Sequence, residues 1–168
     1  MSHFEHKSEA PGQVRCMVVT VSDTRGKEDD KSGQEVIQYL SGAGHAADEY
    51  RIVKDDKEEI ARAVSEGLAA PGIDAVILNG GTGISKRDVT IETVKEFIEK
   101  EITGFGEIFR MLSYQEDIGS PAIMSRAIAG THGRKAIFSL PGSTGAVRLA
   151  MKKLIVPELG HIIRELRK

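Results

Sequence analysis

Apolar runs typical of buried strands alternate with amphipathic segments along almost the whole chain, and this alternation limits the possible folds more than any other feature. Cys16–Val21 and Asp74–Leu78 are nearly continuous apolar runs, as expected for strands covered on both faces. After the first run, Val36, Ile37 and Leu40 recur at helical spacing. Strands that alternate with helices usually form a parallel sheet. The sequence therefore predicts an α/β fold, with a mostly parallel sheet and helices on both faces.

Helical spacing also predicts the other helices. The segments expected to be helical are Ser32–Ala43, Lys57–Leu68, Phe105–Leu112, Ala146–Leu154 and Glu158–Leu166. Pro157 is expected to separate the last two, because proline interrupts the helical hydrogen-bond pattern. Apolar residues recur at helical spacing from Ile91 to Ile102 and predict one more helix, with Thr90 as its cap.

Three shorter segments complete the predicted sheet. Glu49–Val53 is expected to be a strand, while Ser125–Ala129 and Lys135–Leu140 are expected to form a hairpin or two successive strands. A chain of 168 residues is of the size of one domain. We expect that domain to span residues 14–168, preceded by a flexible polar N-terminal tail at residues 1–13.

The composition excludes several classes of protein. Lys and Arg number 23 against 25 Asp and Glu, so the formal net charge is -2, whereas nucleic-acid binders usually carry a basic excess. Apolar runs fall short of the ~20 residues of a membrane-spanning helix, and the N-terminus lacks an apolar secretory segment. Cys16 is the only cysteine, and its place in a predicted strand indicates an inert core thiol. We expect a cytoplasmic protein that binds neither nucleic acid nor membranes.

The loops that follow the parallel strands should meet at one edge of the sheet. Right-handed crossover connections place every strand-to-helix loop on the same edge, where ligands bind in such folds. The loops in question are rich in glycine or hydroxyl groups and comprise Ser22–Gly26, Asn79–Asp88 and Pro141–Gly145. Their predicted convergence is the strongest indication of a binding site that the pattern gives.

Two of these loops have the composition of anion-binding loops. In Gly80-Gly81-Thr82-Gly83, backbone N–H groups can approach an anion closely because few side chains stand in the way. Pro141-Gly142-Ser143-Thr144-Gly145 precedes a predicted helix, whose N-terminal N–H groups attract anions. Taken alone, the first loop is equally consistent with a tight turn, and Ser143 or Thr144 with a helix cap. Two such loops on one edge favour a protein that joins two phosphate-bearing molecules.

Carboxylates in the same loops are candidates for holding a metal ion. Asp88 follows the glycine loop, Asp55 and Asp56 follow a predicted strand, and Asp23 follows the first strand. Carboxylates beside bound phosphates commonly hold Mg²⁺. Asp88 and Asp56 also suit the role of helix caps. Basic residues in these loops are candidates for pairing with phosphate: Arg25, Lys86 and Arg87.

The loop motifs, in this order, resemble those of the MoaB/Mog family of molybdenum cofactor biosynthesis proteins, and of its MoaB branch in particular. The resemblance extends from about Val14 to the C-terminus. The segments that carry it are Thr20–Asp23, Asn79–Gly83, Arg87–Thr90, Gly104–Arg110, Ser125–Ala127 and Ser139–Ser143.

The resemblance implies a three-layer molybdopterin-binding fold and a role in molybdenum cofactor biosynthesis. Active members of the family are molybdopterin adenylyltransferases, which transfer AMP from Mg-ATP to the terminal phosphate of molybdopterin and release pyrophosphate. The family implies Mg²⁺ as cofactor, ATP and molybdopterin as substrates, a molybdate-inserting MoeA-like partner, and a homo-oligomer, trimer or hexamer.

The resemblance also implies roles for individual residues. Some relatives have lost one or both acids that correspond to Asp55 and Asp88, and because both are present here we expect a catalytically competent chain. These two are the expected catalytic residues and Mg²⁺ ligands. The expected substrate-binding residues are Ser22, Asp23, Gly80, Gly81, Thr82, Gly83, Ser125, Pro141, Gly142 and Ser143.

Two alternatives to adenylylation remain open at this stage. The chain could be a pterin-binding carrier or silenced paralogue without catalysis. It could also be an unrelated nucleotide-binding regulator on a similar α/β fold. Pyrophosphate release separates the first from an enzyme, and affinity for molybdopterin separates the second.

Overall fold

The computed structural model describes residues 12–168, which form an α/β fold around one mixed sheet. Residues 1–11 of the predicted tail lie outside the described residues. The strands are β1 (Arg15–Val21), β2 (Ala46–Val53), β3 (Ala75–Asn79), β4 (Lys100–Glu101), β5 (Ile128–His132) and β6 (Lys135–Leu140). They lie in the order β2-β1-β3-β6-β5-β4. The first four in that order are parallel, whereas β5 pairs antiparallel with β6 and β4 pairs antiparallel with β5.

The helices lie between these strands and after the last one. They are α1 (Lys31–Gly42), α2 (Lys57–Ala69), α3 (Thr90–Lys95), α4 (Thr103–Glu116), α5 (Thr144–Ala150) and α6 (Val156–Leu166). A short 3₁₀ helix at Ser120–Met124 precedes β5. Within residues 12–168, none of the helices is long and apolar enough to cross a membrane.

The sheet is covered on both faces, which confirms the predicted three layers. Successive side chains of a strand point to opposite faces. Cys16 and Val18 of β1 accordingly lie in one core with residues of α1, α4, α5 and α6, while Met17 and Val19 lie in the other with residues of α2 and α3. Burial raises the pKa of the Cys16 thiol to about 12, consistent with the predicted inert core thiol.

The prediction of a helix from Ile91 to Ile102 is correct as far as Lys95 and wrong beyond it. Helix α3 ends at Lys95, and the following segment pairs with β5 as an edge strand. The main-chain N–H of Ile102 donates to the carbonyl of Ala129 at 2.8 Å. Gly130 leaves room for Ile98, because a Cβ there would lie 2.5 Å from Ile98 Cγ2. Packing against this glycine and pairing with β5 stabilise the extended segment more than a longer helix would be stabilised by its apolar spacing.

The predicted break at Pro157 is also wrong. Helix α5 continues through a π-helical turn at Met151–Ile155 directly into α6. Pro157 lies in the first turn of α6, where its missing N–H removes one regular helical hydrogen bond. The wider π-helical turn immediately before it accommodates that loss without ending the helix.

The pair β5–β6 settles the alternative left open for Ser125–Ala129 and Lys135–Leu140. The two strands form an antiparallel hairpin, in which His132 pairs with Lys135. The first strand begins at Ile128, so Ser125 lies before it rather than within it. Ser125 is thereby free to face the edge of the sheet where the glycine-rich loops meet.

Candidate functional site

A cleft of about 400 Å³ lies where the predicted loops meet at the carboxyl ends of β1, β3 and β6. The structure therefore brings together loops that are far apart in sequence, as the parallel topology predicts. The predicted site residues that line the cleft are Ser22, Gly80, Gly81, Thr82, Gly83, Asp88, Ser125, Pro141 and Gly142.

The other predicted residues lie beside the cleft rather than in its lining. Asp55 lies behind the glycine loop, and its main-chain N–H donates to Oδ1 of Asp23 at 3.1 Å. Ser143 caps α5, because its hydroxyl accepts from the N–H of Ala146 at 3.2 Å. This is the capping role considered as the alternative for Ser143.

Two glycines let aspartates lie directly against the loop backbone. A Cβ on Gly83 would lie 2.6 Å from Oδ2 of Asp88. A Cβ on Gly81, which has a φ of 69°, would lie 3.0 Å from Oδ1 of Asp55 and 2.3 Å from the Thr90 hydroxyl. Both distances to the carboxylates are shorter than ordinary contacts, so a side chain on either glycine would displace an aspartate or the loop.

Asp55 is in an environment that favours a cation. Its Oδ1 is buried and has no hydrogen-bond partner among residues 12–168. Burial, and then the negative charges of Asp88 and Asp23, raise the pKa of the Asp55 carboxyl above its usual value. A buried carboxylate oxygen without a donor is costly unless a cation or a polar ligand approaches it.

Asp23 is held by Arg87 rather than facing the cleft. The guanidinium of Arg87 donates to Oδ2 of Asp23 from Nε at 2.8 Å and from Nη2 at 2.5 Å. These hydrogen bonds hold the pKa of Asp23 below its usual value. Arg87, considered from sequence as a partner for phosphate, is paired with this carboxylate instead.

Asp88 does not cap the helix that follows it, contrary to one of the alternatives considered. Its Oδ2 accepts from the N–H and the hydroxyl of Ser85, at 3.1 and 2.6 Å. Asp88 thus closes the turn of the glycine loop. The N-cap position of α3 is Val89, so the prediction of Thr90 as the cap is wrong. Asp56 does cap α2, accepting from the N–H of Glu59 at 3.1 Å.

Arg25 links the first and third loops. Its guanidinium lines the cleft, and it donates to the carbonyl of Gly142 at 3.2 Å and to the hydroxyl of Ser32 at 2.6 Å. Asp30 lies 3.6 Å from it and is completely buried. Arg25 therefore contacts three protein groups and also presents positive charge to the cleft.

Asp30 is the centre of a buried polar network that sequence reasoning missed. Burial opposes its ionisation, but hydrogen bonds from Thr20, Tyr50 and Gly33 outweigh burial and lower its pKa. Asn79, at the end of β3, donates to Thr20 at 3.0 Å. The network thereby joins β1, β2, β3 and the start of α1 directly beneath the cleft.

Other lining residues also had no clear signal in the sequence. Ile118, Pro121 and Met124 form an apolar side of the cleft. Ile118 follows the end of α4, and the other two lie in the 3₁₀ helix, whose only local signal is the turn sequence Gly119-Ser120-Pro121. Ser125 follows them, and its hydroxyl oxygen is buried without a hydrogen-bond partner among the described residues.

The donor atoms of the site suit Mg²⁺ held jointly with a substrate. Residues 12–168 contain no cluster of three or more His, Cys, Asp or Glu side chains arranged to hold a metal ion. Mg²⁺ usually keeps several waters and binds one or two carboxylates together with substrate phosphates. The unpartnered Oδ1 of Asp55, which lies against Gly81, and Asp88, which lies against Gly83 of the same glycine loop, fit that second kind of site.

Comparisons with known proteins agree on one family. Residues 17–161 match the family described as a probable molybdopterin binding domain. Molybdenum cofactor biosynthesis protein B of Bacillus cereus is 62% identical over 168 residues, which cover 100% of this chain and 99% of the relative.

Solved structures give the same result. A crystal structure of a molybdenum cofactor biosynthesis protein B has a TM-score of 0.92 at 62% identity, covering 95% of this chain and 99% of that one. The tungsten cofactor synthesizing protein MoaB from Pyrococcus furiosus has a TM-score of 0.85 at 41% identity, covering 95% of this chain and 100% of that one. The similarity therefore includes every element that forms the cleft.

Proposed function

This chain belongs to the family of probable molybdopterin binding domains, and we propose that it binds molybdopterin and adenylylates it with Mg-ATP, releasing pyrophosphate. Its place in molybdenum cofactor biosynthesis follows from its relatives. The transfer reaction goes beyond that membership, and its support comes from the residues at the cleft.

The observation that carries the proposal is the position of Asp55 and Asp88 against a glycine loop. A carrier needs to bind pterin, but it has no need for a carboxylate whose Oδ1 is buried without a partner in the described chain. The pKa of Asp55 is raised by burial and by the nearby negative charges. Binding a cation beside Asp55 therefore stabilises the site. Nucleotidyl transfer supplies that cation with Mg-ATP.

The reaction needs positioning and charge neutralisation more than acid–base chemistry. A phosphate oxygen of molybdopterin attacks the α-phosphorus of ATP, and the bond from that phosphorus to the bridging oxygen breaks. Pyrophosphate leaves with the electron pair of that bond. The attacking phosphate is already ionised at neutral pH, so a strong general base is unnecessary. Holding the two phosphates together in line therefore supplies much of the rate enhancement.

The residues of the cleft divide between these tasks. In the proposed arrangement, the backbone of Gly81, Thr82 and Gly83 binds one phosphate group. Ser125 and Gly142 contact the pterin or its phosphate, and the guanidinium of Arg25 adds positive charge at the other side of the cleft. The apolar side formed by Ile118, Pro121 and Met124 suits a flat heterocycle.

Asp55 and Asp88 would hold the magnesium ion. When bound, Mg²⁺ neutralises negative charge on the phosphates during transfer. Asp88 is fixed for this role by the N–H and hydroxyl of Ser85. Asp55 is fixed through its main chain, which donates to Asp23, while Arg87 occupies the second oxygen of Asp23. Asp23 therefore orients Asp55 in this proposal.

We also propose that the chain forms a homo-oligomer, trimer or hexamer, and passes its product to a molybdate-inserting MoeA-like protein. Support for self-association comes from large apolar residues exposed on and after α4, including Ile108 at 44%, Met111 at 50% and Ile123 at 85% exposure. Handing over the product directly would protect an adenylylated pterin from hydrolysis.

The experiment that tests the proposal supplies Mg-ATP and freshly prepared molybdopterin together, and then each alone. An adenylyltransferase releases pyrophosphate and forms adenylylated pterin only in the complete mixture. Pterin binding without pyrophosphate release would indicate a carrier or silenced paralogue. Nucleotide binding without pterin binding would instead indicate a regulator.

A further inference from the structure

Arg126 connects the Ser125 side of the cleft to the glycine loop. Its Nε donates to the carbonyl of Thr82 at 3.0 Å, and its Nη2 lies 3.5 Å from the carbonyl of Asp88. The two terminal nitrogens also donate to the two carboxylate oxygens of Glu92 in α3, each at 2.8 Å. One guanidinium thus contacts both ends of the loop that carries Thr82, Gly83 and Asp88.

The contact with Thr82 fixes the direction of the next backbone N–H. Cis peptide bonds are absent from residues 12–168, and in a planar trans peptide the carbonyl and the N–H point in opposite directions. The carbonyl of Thr82 points toward Arg126. The N–H of Gly83 must therefore point away from Arg126, and both residues of this peptide line the cleft.

We propose that Arg126 is a positioning residue, which aims the Gly83 N–H at a phosphate and holds Asp88 in place without contacting the substrate itself. This inference rests on the proposed adenylylation. The side chain of Arg126 is 31% exposed and its donors are occupied by Glu92 and the loop carbonyls. Glu92 in turn fixes the guanidinium plane, because bidentate pairing allows only one orientation.

Lysine cannot replace this arrangement, although it keeps the charge. An ammonium group is a single point donor, whereas the guanidinium presents a planar fork that reaches several acceptors at once. Arg126→Lys should therefore lose either the Thr82 contact or the Glu92 pair. Misplacing a reacting group by about 1 Å costs about 100-fold in rate, so we expect kcat to fall by about that factor. KM for molybdopterin should change little.

The test compares Arg126→Lys with Arg51→Lys as a matched control. Arg51 has a similarly exposed side chain (35%) and also pairs with two carboxylate oxygens, from Glu49 and Glu66, but on β2 and α2, away from the cleft. Glu92→Gln serves as a second, milder variant. Each is measured for kcat, KM, Tm, and hydrogen exchange of the peptide covering residues 79–88.

The proposal requires that Arg126→Lys lowers kcat and speeds exchange in residues 79–88 with Tm close to that of Arg51→Lys. Glu92→Gln should act in the same direction, but less. A fall in Tm with unchanged kcat would overturn the proposal and leave Arg126 a stabilising residue. A rise in KM for molybdopterin with unchanged kcat would also overturn it, because Arg126 would then bind substrate.

Failure of the proposed function is distinguishable from failure of this inference. Wild-type chain that releases no pyrophosphate overturns adenylylation, and the role of Arg126 is then decided by exchange alone. Unchanged exchange in residues 79–88 of Arg126→Lys overturns that role. Normal pyrophosphate release by both wild type and Arg126→Lys overturns only the inference about Arg126.

Discussion

The main-chain N–H of Asp55 donates a hydrogen bond of 3.1 Å to Oδ1 of Asp23. The parallel register pairs Val21 with Val53, so each aspartate follows its own strand at the same distance. This relation places two carboxylates side by side, with Asp88 across the glycine loop as a third. The resulting repulsion contributes to the raised pKa of Asp55.

Replacing Asp55 by asparagine should stabilise the fold while abolishing turnover. A carboxyl whose pKa is raised on folding costs stability above that pKa, and the cost disappears when both states are protonated. Asp55→Asn should therefore raise Tm at pH 7 by about 2 °C. The gain should shrink as the pH falls toward the usual value of 3.8. Thermal unfolding of wild type and variant between pH 3.5 and 7.5 measures both effects.

Asp56→Asn is the control for that series. Asp56 is adjacent in sequence but caps α2, and asparagine caps a helix about as well as aspartate. It should leave Tm and turnover nearly unchanged. A lower Tm for Asp55→Asn at pH 7 would contradict the electrostatic account of the site.

Gly83→Ala should reduce turnover without unfolding the chain. The new Cβ would lie 2.6 Å from Oδ2 of Asp88, and the carboxylate must move because it is the flexible partner. We expect turnover to fall by about 100-fold, the scale of an ångström-sized displacement, with Tm changed by less than about 3 °C. Gly42→Ala is the control, since nothing in the described residues lies within 4 Å of its added Cβ. Full turnover in Gly83→Ala would show that the position of Asp88 is unimportant.

Asp30→Asn should destabilise the fold strongly at neutral pH. The carboxylate accepts from Thr20 at 2.6 Å, from Tyr50 and from Gly33 at 3.0 Å, and it lies near Arg25. Loss of this buried anion should cost about 2–4 kcal/mol in the free energy of unfolding, measured with urea at pH 7. Tyr50→Phe removes a single donor and should cost about 1 kcal/mol.

The pH dependence of the Asp30→Asn effect has a definite sign. Because the pKa of Asp30 is lowered on folding, its stabilisation is present above its usual value of 3.8 and is lost as the pH falls through the lower, folded-state value. The difference between wild type and Asp30→Asn should therefore decrease in acid. A difference that grows as the pH falls would contradict this assignment.

Charged substitutions on the exposed apolar face of α4 should separate the proposed oligomer into smaller species. Light scattering of wild type should give three or six times the 18.2 kDa of one chain. Met111→Lys should lower that mass without lowering helix content, because Met111 is 50% exposed within the single chain. Arg62→Glu, on α2 at the other face of the sheet, is the matched control. A wild-type mass of one chain would contradict the proposed assembly.

Local patterns in the sequence predicted the parallel part of the sheet and the meeting of its loops. Continuous apolar runs such as Cys16–Val21 identify buried strands, and topology then requires their loops to meet. Where helices and strands begin and end depended instead on contacts with other parts of the chain. Ile98 lies outside the helix predicted for it because it packs against Gly130. Pro157 lies within a helix because a π-helical turn precedes it.

The lining of the cleft was predictable where polar groups and glycines are concentrated in one loop, as with Gly81, Gly83 and Asp88. Contacts between residues far apart in sequence gave no local signal, even where one of the residues lies in a motif, as Arg126 does in Ser125–Ala127. Arg126 binds a carbonyl 44 residues away, and Asp30 binds Tyr50 across 20 residues. Only the folded chain shows that these side chains support the cleft.

The central claim is that Asp88 serves transfer chemistry rather than structure alone, and single-turnover transfer of AMP from ATP to molybdopterin tests it most directly. Wild type, Asp88→Asn and Asp56→Asn are compared, with pterin affinity measured separately. We expect transfer by wild type and Asp56→Asn, and transfer reduced by more than about 100-fold in Asp88→Asn with pterin affinity retained. Transfer by Asp88→Asn at the wild-type rate, or joint loss of transfer and pterin binding, would contradict it.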